Sequence, residues 1–370
     1  MKMLQRIALQ ARAGAPQRRW YARQPKRELE SNVAGLRGTP HLKRKLGQHL
    51  LVSDEVLDAT VAAAALPELL AAKRQASGDA NATLRVLEIG PGTGNLTSAL
   101  LRSSPHVRVH AVEYDARMVS QLTARFSSEM QGDHPRLAVE NADFERFSFP
   151  QGDAGDVIDA CVANIPYQLS SLVVARLAAA MHRSSSTDGG RLQRAVLLVQ
   201  DEFAQRLLAA PGSQSYSRLS VNTALVADVA SVCPVPRALF VPPPKVDSRV
   251  VSLSPRAAPS ALLAQFDDPL VLQRFDALLR LCFQRKNKTL RALLTARAAR
   301  NEFELDAAIL TGHQDDKEAV TTAVEDALAA CDLDGKRAVQ VSVDQFLQLL
   351  RALGDRGIAL RPSATRHFRD

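Results

Sequence analysis

The run Leu84-Arg85-Val86-Leu87-Glu88-Ile89, ending in Gly90-Pro91-Gly92-Thr93-Gly94-Asn95, constrains this chain more than any other feature. Its nearly continuous apolar character predicts a strand buried on both faces, as in a parallel sheet. A helix-like stretch, Leu96 to Leu101, follows. Strand, glycine loop and helix in that order bring backbone close to a bound nucleotide-like ligand. The dinucleotide fingerprint spaces its glycines at about 0, 2 and 5. Here Gly90, Gly92 and Gly94 are evenly spaced, so a nicotinamide dinucleotide is disfavoured.

Two later strand ends extend the argument. Val107 to Val112 predicts a second strand ending at Glu113. A carboxylate there, about 20 residues past the loop, can accept ribose hydroxyl hydrogens. Arg136 to Val139 predicts a third strand, leading to Asn141-Ala142-Asp143, where an acid suits the amino donor of an adenine. The pattern Glu88-x-Gly90-x-Gly92-x-Gly94 resembles the first motif of S-adenosylmethionine-dependent methyltransferases. That cofactor has no pyrophosphate, so the loop need only wrap its amino-acid end and sulfur.

The most informative tetrapeptide is Asn164-Ile165-Pro166-Tyr167, at the end of an expected strand over Asp156 to Ala163. It resembles the loop of methyltransferases that modify amino groups conjugated to a ring. Such an amine is a poor nucleophile because its lone pair is delocalised into the ring. The Asn164 side-chain oxygen and a backbone carbonyl near Ile165 can accept its two hydrogens, localising the lone pair by positioning and electrostatics. Pro166 stiffens the loop, and Tyr167 offers a face on which a flipped base can stack.

With both motifs in place, further ordered blocks resemble the small-subunit ribosomal RNA adenine N6-dimethyltransferases over residues 43 to about 295. These blocks are Lys45 to Leu51, Gln168 to Ser171, Gln200 to Leu207, Tyr216 to Asn222, Phe240 to Ser248 and Phe283 to Leu290. Cys331 to Ala338 and Phe346 to Leu350 are similar to the C-terminal extension of the eukaryotic branch. The resemblance implies dimethylation of two adjacent adenines near the 3′ end of small-subunit rRNA, with a role in small-subunit biogenesis. It implies S-adenosylmethionine as cofactor, and small-subunit rRNA and the pre-small ribosomal subunit as partners. Cofactor contacts are expected from Gln48, His49, Leu51, Glu88, Gly90, Gly92, Gly94, Glu113, Asp143 and Asn164, and the catalytic loop is Asn164, Ile165, Pro166 and Tyr167. Two departures stand out: Asn141 occupies a position where the family usually has glycine, and His182 to Arg191 is an insertion that reads as a surface loop.

The expected fold is α/β: a Rossmann-like S-adenosylmethionine-dependent methyltransferase domain with a small all-helical C-terminal domain. Residues 1–40 are a basic tail, 41–255 the catalytic domain and 262–370 the helical domain, with Ser254 to Ser260 as linker. Phe240-Val241-Pro242-Pro243-Pro244 is a rigid extended segment that walls the substrate cleft, with Phe240 either buried or a second stacking surface. It leads into an expected edge strand over Val246 to Leu253, and further strands are expected near 193–200 and 224–232. Helices are expected over Val271 to Phe283, Asn287 to Ala299, Lys317 to Ala330 and Val343 to Leu353.

The positive charge is unevenly spread along the chain. Residues 1–47 hold 12 Lys/Arg against two acids, whereas the remainder holds 35 basic and 37 acidic side chains, so the net +8 belongs to the tail. One internal exception is Gln284 to Arg300, which has six cationic side chains and no acid. Arg285, Lys286, Lys288 and Arg291 within it are candidate RNA-phosphate contacts, to which Arg18, Arg19, Lys43, Arg44 and Lys45 can add. In the tail, Leu4, Ile7, Ala8 and Ala11 fall at helical spacing among arginines, the pattern of a mitochondrial transit segment. A basic RNA-binding or nuclear-targeting arm is the other reading, so localisation is expected to be mitochondrial, with the nucleolus as alternative. Four scattered cysteines without a C-x-x-C pair read as structural thiols. No metal, no membrane and a monomeric state are expected. A non-catalytic nucleic-acid-binding paralogue and a DNA adenine methyltransferase are the competing functions.

Overall fold

A computed structural model describes residues 48–150, 157–183, 192–256, 262–266, 268–306 and 316–362. The basic tail, Lys43 to Lys45, the insertion after Arg183 and the linker after Arg256 lie outside the described residues. The chain divides into two compact units, the first running to Ala204 and resuming at Ala227–Pro255, the second comprising Gln205–Val226 and the chain from Arg256. The excursion Gln205–Val226 contributes Tyr216, Val221 and Leu225 to the second unit's core.

In chain order the first unit contains β1 (Leu50–Leu51), α1 (Asp54–Ala63), α2 (Leu66–Ser77), β2 (Leu84–Ile89), α3 (Asn95–Ser103), β3 (Val107–Glu113), α4 (Ala116–Arg125) and β4 (Leu137–Asn141). Then come β5 (Ala160–Asn164), α5 (Ser170–Arg183), β6 (Arg194–Gln200), β7 (Ala227–Val235), β8 (Phe240–Val241) and β9 (Ser248–Pro255). A seven-stranded sheet has the order β4-β3-β2-β5-β6-β9-β7. Its first five strands are parallel, and β9 and β7 are joined antiparallel. Strand β2 is buried at every position except Arg85, as its apolar run requires. Local chemistry sets the helix starts: Ser53 accepts the Val56 N–H at 3.4 Å to cap α1, and Asp115 accepts the Arg117 N–H at 3.2 Å to cap α4.

Strand order then fixes where a ligand can bind. From β2 the sheet grows to β3 and β4 on one side, and to β5 and β6 on the other. The crevice at the carboxyl ends of β2 and β5 is therefore the switch point at which open α/β sheets hold ligands. Strand β2 ends at Ile89, immediately before Gly90, and β5 ends at Asn164.

Two strand expectations need correction. Val246 to Leu253 is not an edge strand: β9 pairs with β6 on one side and β7 on the other, leaving β7 at the edge. The prolines at 242–244 all precede β9, so Ser248 to Ser254 keep every N–H and can serve two neighbours. The strand expected over 224–232 starts at Ala227, because Arg218–Val226 is helical.

Helix α6 (Asp201–Leu207) carries the chain out of the first unit. The second unit holds α7 (Arg218–Val226), α8 (Val271–Cys282), α9 (Leu290–Leu294), α10 (Arg297–Arg300), β10 (Phe303–Leu305), α11 (Asp316–Ala330), α12 (Val343–Gly354) and β11 (Ile358–Leu360). Its core gathers Phe275, Leu279, Leu294, Val324, Leu328, Phe346 and Leu350. It is helical as expected, with one addition: β10 and β11 form an antiparallel pair. The helix expected over Asn287–Ala299 is two short ones. Thr289 caps α9, the Thr295 hydroxyl closes it on the Arg291 carbonyl at 2.8 Å, and Ala296 is extended before α10 begins. No helix among the described residues is long and apolar enough to cross a membrane. The four cysteines are unpaired, three of them buried.

Candidate active site

A cavity of about 290 Å³ opens at this switch point, entirely within the first unit. The glycine loop, the ends of β3 and β4, the Asn164–Tyr167 loop and the segment Gln48–Leu51 converge on it. The two sequence motifs meet here directly. A Cβ placed on Gly90, whose φ is +66°, would lie 3.5 Å from Pro166 Cδ.

Each glycine has its own reason. Gly92, at φ +58°, would bring a Cβ to 3.1 Å from Leu50 Cδ2, and its N–H donates to Glu113 Oε2 at 3.1 Å. Gly94 does not line the cavity. At φ +85°, its missing Cβ makes room for Phe126 and Leu122, so it serves the packing of α3 against α4.

Three acids differ sharply in state. Glu88 is buried, with Oε2 accepting from Thr97 Oγ1 at 2.6 Å, and burial pushes its carboxyl up to about 8. Its other oxygen, Oε1, is buried with no hydrogen-bond partner. Burial also raises the Glu113 carboxyl, opposed by the N–H groups of Asp115, at 2.8 Å from Oε1, and Gly92. Each Glu113 oxygen keeps a second lone pair for a ligand hydroxyl. Asp115 lies well below the usual carboxylate range because the Arg117 side chain is hydrogen-bonded to it. Asp143 stands at the end of β4 on the cavity wall, its Oδ1 held by the Glu145 N–H at 2.9 Å. Beneath it, Phe144, Phe147 and Phe149 pack together, with the Arg176 guanidinium 4.9 Å from the Phe144 ring centre.

The segment 48–51 is fastened from several directions. Gln48 Nε2 donates to Asp115 Oδ2 at 3.1 Å, and Asn95 Nδ2 to the Leu51 carbonyl at 3.1 Å. Strand β1 pairs with β8, and the His49 Nδ1–H donates to the Pro242 carbonyl at 2.8 Å. Asn164 Nδ2 donates to the His49 carbonyl at 3.4 Å, an orientation that leaves Oδ1 as an acceptor. The His49 and Tyr167 rings are stacked, 6.2 Å apart at 24°. Burial raises the Tyr167 phenol, whose oxygen is 2.7 Å from Ser248 Oγ. Phe240 is buried and also lines the cavity.

All expected cofactor and catalytic residues except Gly94 line this one cavity. Sequence reasoning missed Asp115, Asn95 and Ser248, which hold the others, and Tyr114, exposed at the rim. Asn141 is tolerated in place of glycine because it is not left-handed, and its amide donates to the Glu113 carbonyl at 2.8 Å. The cationic residues Arg285, Lys286, Lys288 and Arg291 lie in the second unit, apart from this cavity's lining. The first three are exposed on the turn before α9, whereas Arg291 is paired with Glu325 at 2.8 Å. Among the described residues no group of three or more His, Cys, Asp or Glu side chains is arranged to hold a metal ion.

The sequence model of the ribosomal RNA adenine dimethylases matches residues 40–331. A probable dimethyladenosine transferase of Caenorhabditis elegans is 36% identical over 83% of this chain and 88% of its own length. A mitochondrial ribosomal RNA small subunit methyltransferase of Arabidopsis thaliana is 36% identical over 86% of this chain and 72% of its own. The crystal structure of a dimethyladenosine transferase from Plasmodium falciparum superposes with a TM-score of 0.62 at 32% identity, covering 84% of this chain and 99% of that one.

Proposed function

The chain belongs to the ribosomal RNA adenine dimethylase family, and from that premise we propose that it dimethylates N6 of two adjacent adenines near the 3′ end of small-subunit rRNA. It is an S-adenosylmethionine-dependent methyltransferase of the rRNA adenine type. The observation that carries the finer reading is the meeting of Gly90 with Pro166, which puts a cofactor cradle and an amine-accepting loop in one cavity.

The residues present fit the cofactor. Glu88 Oε1, buried and without a partner, is an acceptor waiting for a cationic amino group. Glu113 has spare acceptor capacity for ribose hydroxyls, and Asp143 would accept from an adenine amino group. Gly90 and Gly92 keep the loop free of side chains on the cavity wall, where they would hold the amino-acid end. When bound, S-adenosylmethionine supplies an electrophilic methyl group on a sulfonium. Asn164 Oδ1 and a carbonyl of its loop accept the two hydrogens of the target amine, so the nitrogen lone pair turns toward the methyl. Tyr167 provides the face against which the base lies.

Arg285, Lys286 and Lys288 supply phosphate contacts to folded RNA, and Arg291, already paired with Glu325, contributes less. We place the substrate in an assembling small subunit and the protein in mitochondria. The acid-free start of the tail and the Arabidopsis relative support that reading. The non-catalytic alternative is not favoured, since the relatives are named as transferases. The test offers immature mitochondrial and cytosolic small subunits side by side with labelled S-adenosylmethionine, and maps the label by mass spectrometry. Dimethyladenosine at adjacent positions in the mitochondrial subunits is expected. Label on the cytosolic subunits alone overturns the compartment, and label on neither overturns the substrate.

A further inference from the structure

The catalytic loop is held by more than its own backbone. Tyr167 Oη is 2.7 Å from Ser248 Oγ, and the two hydroxyls share one hydrogen bond. Ser248 is the first residue of β9 and only 1% exposed. Its backbone sits between two strands, opposite Gln200 of β6 and Val235 of β7. Its position is therefore fixed by the sheet, and the hydroxyl is presented from a rigid element. Tyr167, by contrast, begins a single 3-10 turn at the end of a loop. Among the described residues the Tyr167 ring stacks with His49, itself tied to Pro242 six residues before Ser248. One segment, Phe240–Ser248, thus anchors both members of the aromatic pair.

We propose that Ser248 is a positioning residue for methyl transfer: its hydroxyl fixes the Tyr167 ring in the plane against which the target base is set. The inference rests on the reading of Tyr167 as the base platform. A ring left free at its far end swings about its Cα–Cβ bond, and a base lying against it swings too. Misalignment of that kind lowers the rate of transfer from bound substrate while leaving the cofactor side of the cavity intact. Ser248 bonds Tyr167 from behind the cavity, whose lining does not include it.

The experiment measures methyl transfer to small-subunit RNA substrate by the full chain and by Ser248→Ala, Tyr167→Phe and the double variant, with cofactor affinity measured separately by calorimetry. Ser248→Ala and Tyr167→Phe should each lower kcat by about fivefold to tenfold, the range of one lost hydrogen bond. Cofactor affinity should stay within about twofold, and the double variant should be no worse than either single one. Wild-type kcat in Ser248→Ala overturns the proposal, as does a double variant whose losses multiply. If Ser248→Ala fails to fold, Tyr167→Phe carries the test: unchanged kcat there also overturns it. Failure of the wild-type chain to methylate the RNA at all counts against the proposed function instead.

Discussion

Glu113 Oε2 accepts the Gly92 N–H at 3.1 Å, so the carboxylate at the end of β3 also sets the shape of the glycine loop. One side chain therefore acts on two parts of the cofactor cradle at once. Glu113→Ala should weaken S-adenosylmethionine binding by about 10- to 100-fold, the size expected for hydrogen bonds to a charged group. Isothermal calorimetry checks this, and unaltered affinity would remove Glu113 from the cradle.

Glu88 gives a pH signature. Its carboxyl, near 8 in the folded protein against an ordinary 4.5, holds a proton through neutral pH that the unfolded chain gives up. The folded state then binds more protons than the unfolded state between those values, so stability falls as pH rises from about 4.5 to 8. Glu88→Gln should flatten that decline in a series of thermal melts. A cationic amino group beside Oε1 favours the ionised form, so cofactor binding near pH 7 should release a proton. Calorimetry in two buffers of different ionisation enthalpy reads it, and identical heats would refute the pairing.

Asn164→Ala should keep most of the cofactor affinity and lose methyl transfer by at least about 100-fold, as when one donor or acceptor aimed at developing charge is removed. Single-turnover assays with bound cofactor separate the two. Transfer at the wild-type rate would exclude Asn164 as the amine acceptor.

Gly94→Ala and Gly92→Ala should part company. An alanine at Gly94 takes a left-handed φ and meets Phe126 at 2.5 Å, so it should destabilise the fold by about 2–4 kcal/mol. Affinity of the surviving folded protein for cofactor should change little, because Gly94 is outside the cavity. Gly92→Ala should instead act on affinity, through Leu50 and the Glu113 contact. Chemical denaturation and calorimetry on both variants decide it.

Neutralising Arg285, Lys286 and Lys288 together should flatten the logarithmic salt dependence of RNA binding by about two to three units. Arg291→Ala alone should flatten it least, because Glu325 already compensates that charge. A triple variant with the wild-type slope would make the turn ordinary surface.

Much of the site is legible in the sequence because its chemistry sits at strand ends. Glu113 and Asn164 are marked by the apolar runs that precede them, and the strand order of such sheets brings those ends together. What stays hidden is the support. Gln48 and Asp115, Asn95 and Leu51, and Tyr167 and Ser248 are 67, 44 and 81 residues apart, and no periodicity signals such pairs. Gly94 shows a second limit: spacing does not distinguish a glycine that admits a ligand from one that admits Phe126. The interior place of β9 was equally invisible, since a strand's flanking prolines do not reveal how many neighbours it will have.

The pairing of Leu50–Leu51 with Phe240–Val241 has a consequence for biosynthesis. About 190 residues separate the partners, so a ribosome adding about 5–20 residues per second needs roughly 10–40 s to deliver the second after the first. In the later part of that interval the glycine loop and its acids have been made, and Gln48 and Leu51 can already bond Asp115 and Asn95, but β1 still lacks the strand it pairs with. The wall of the cavity is therefore completed last, by a strand made long after the loop and acids it faces.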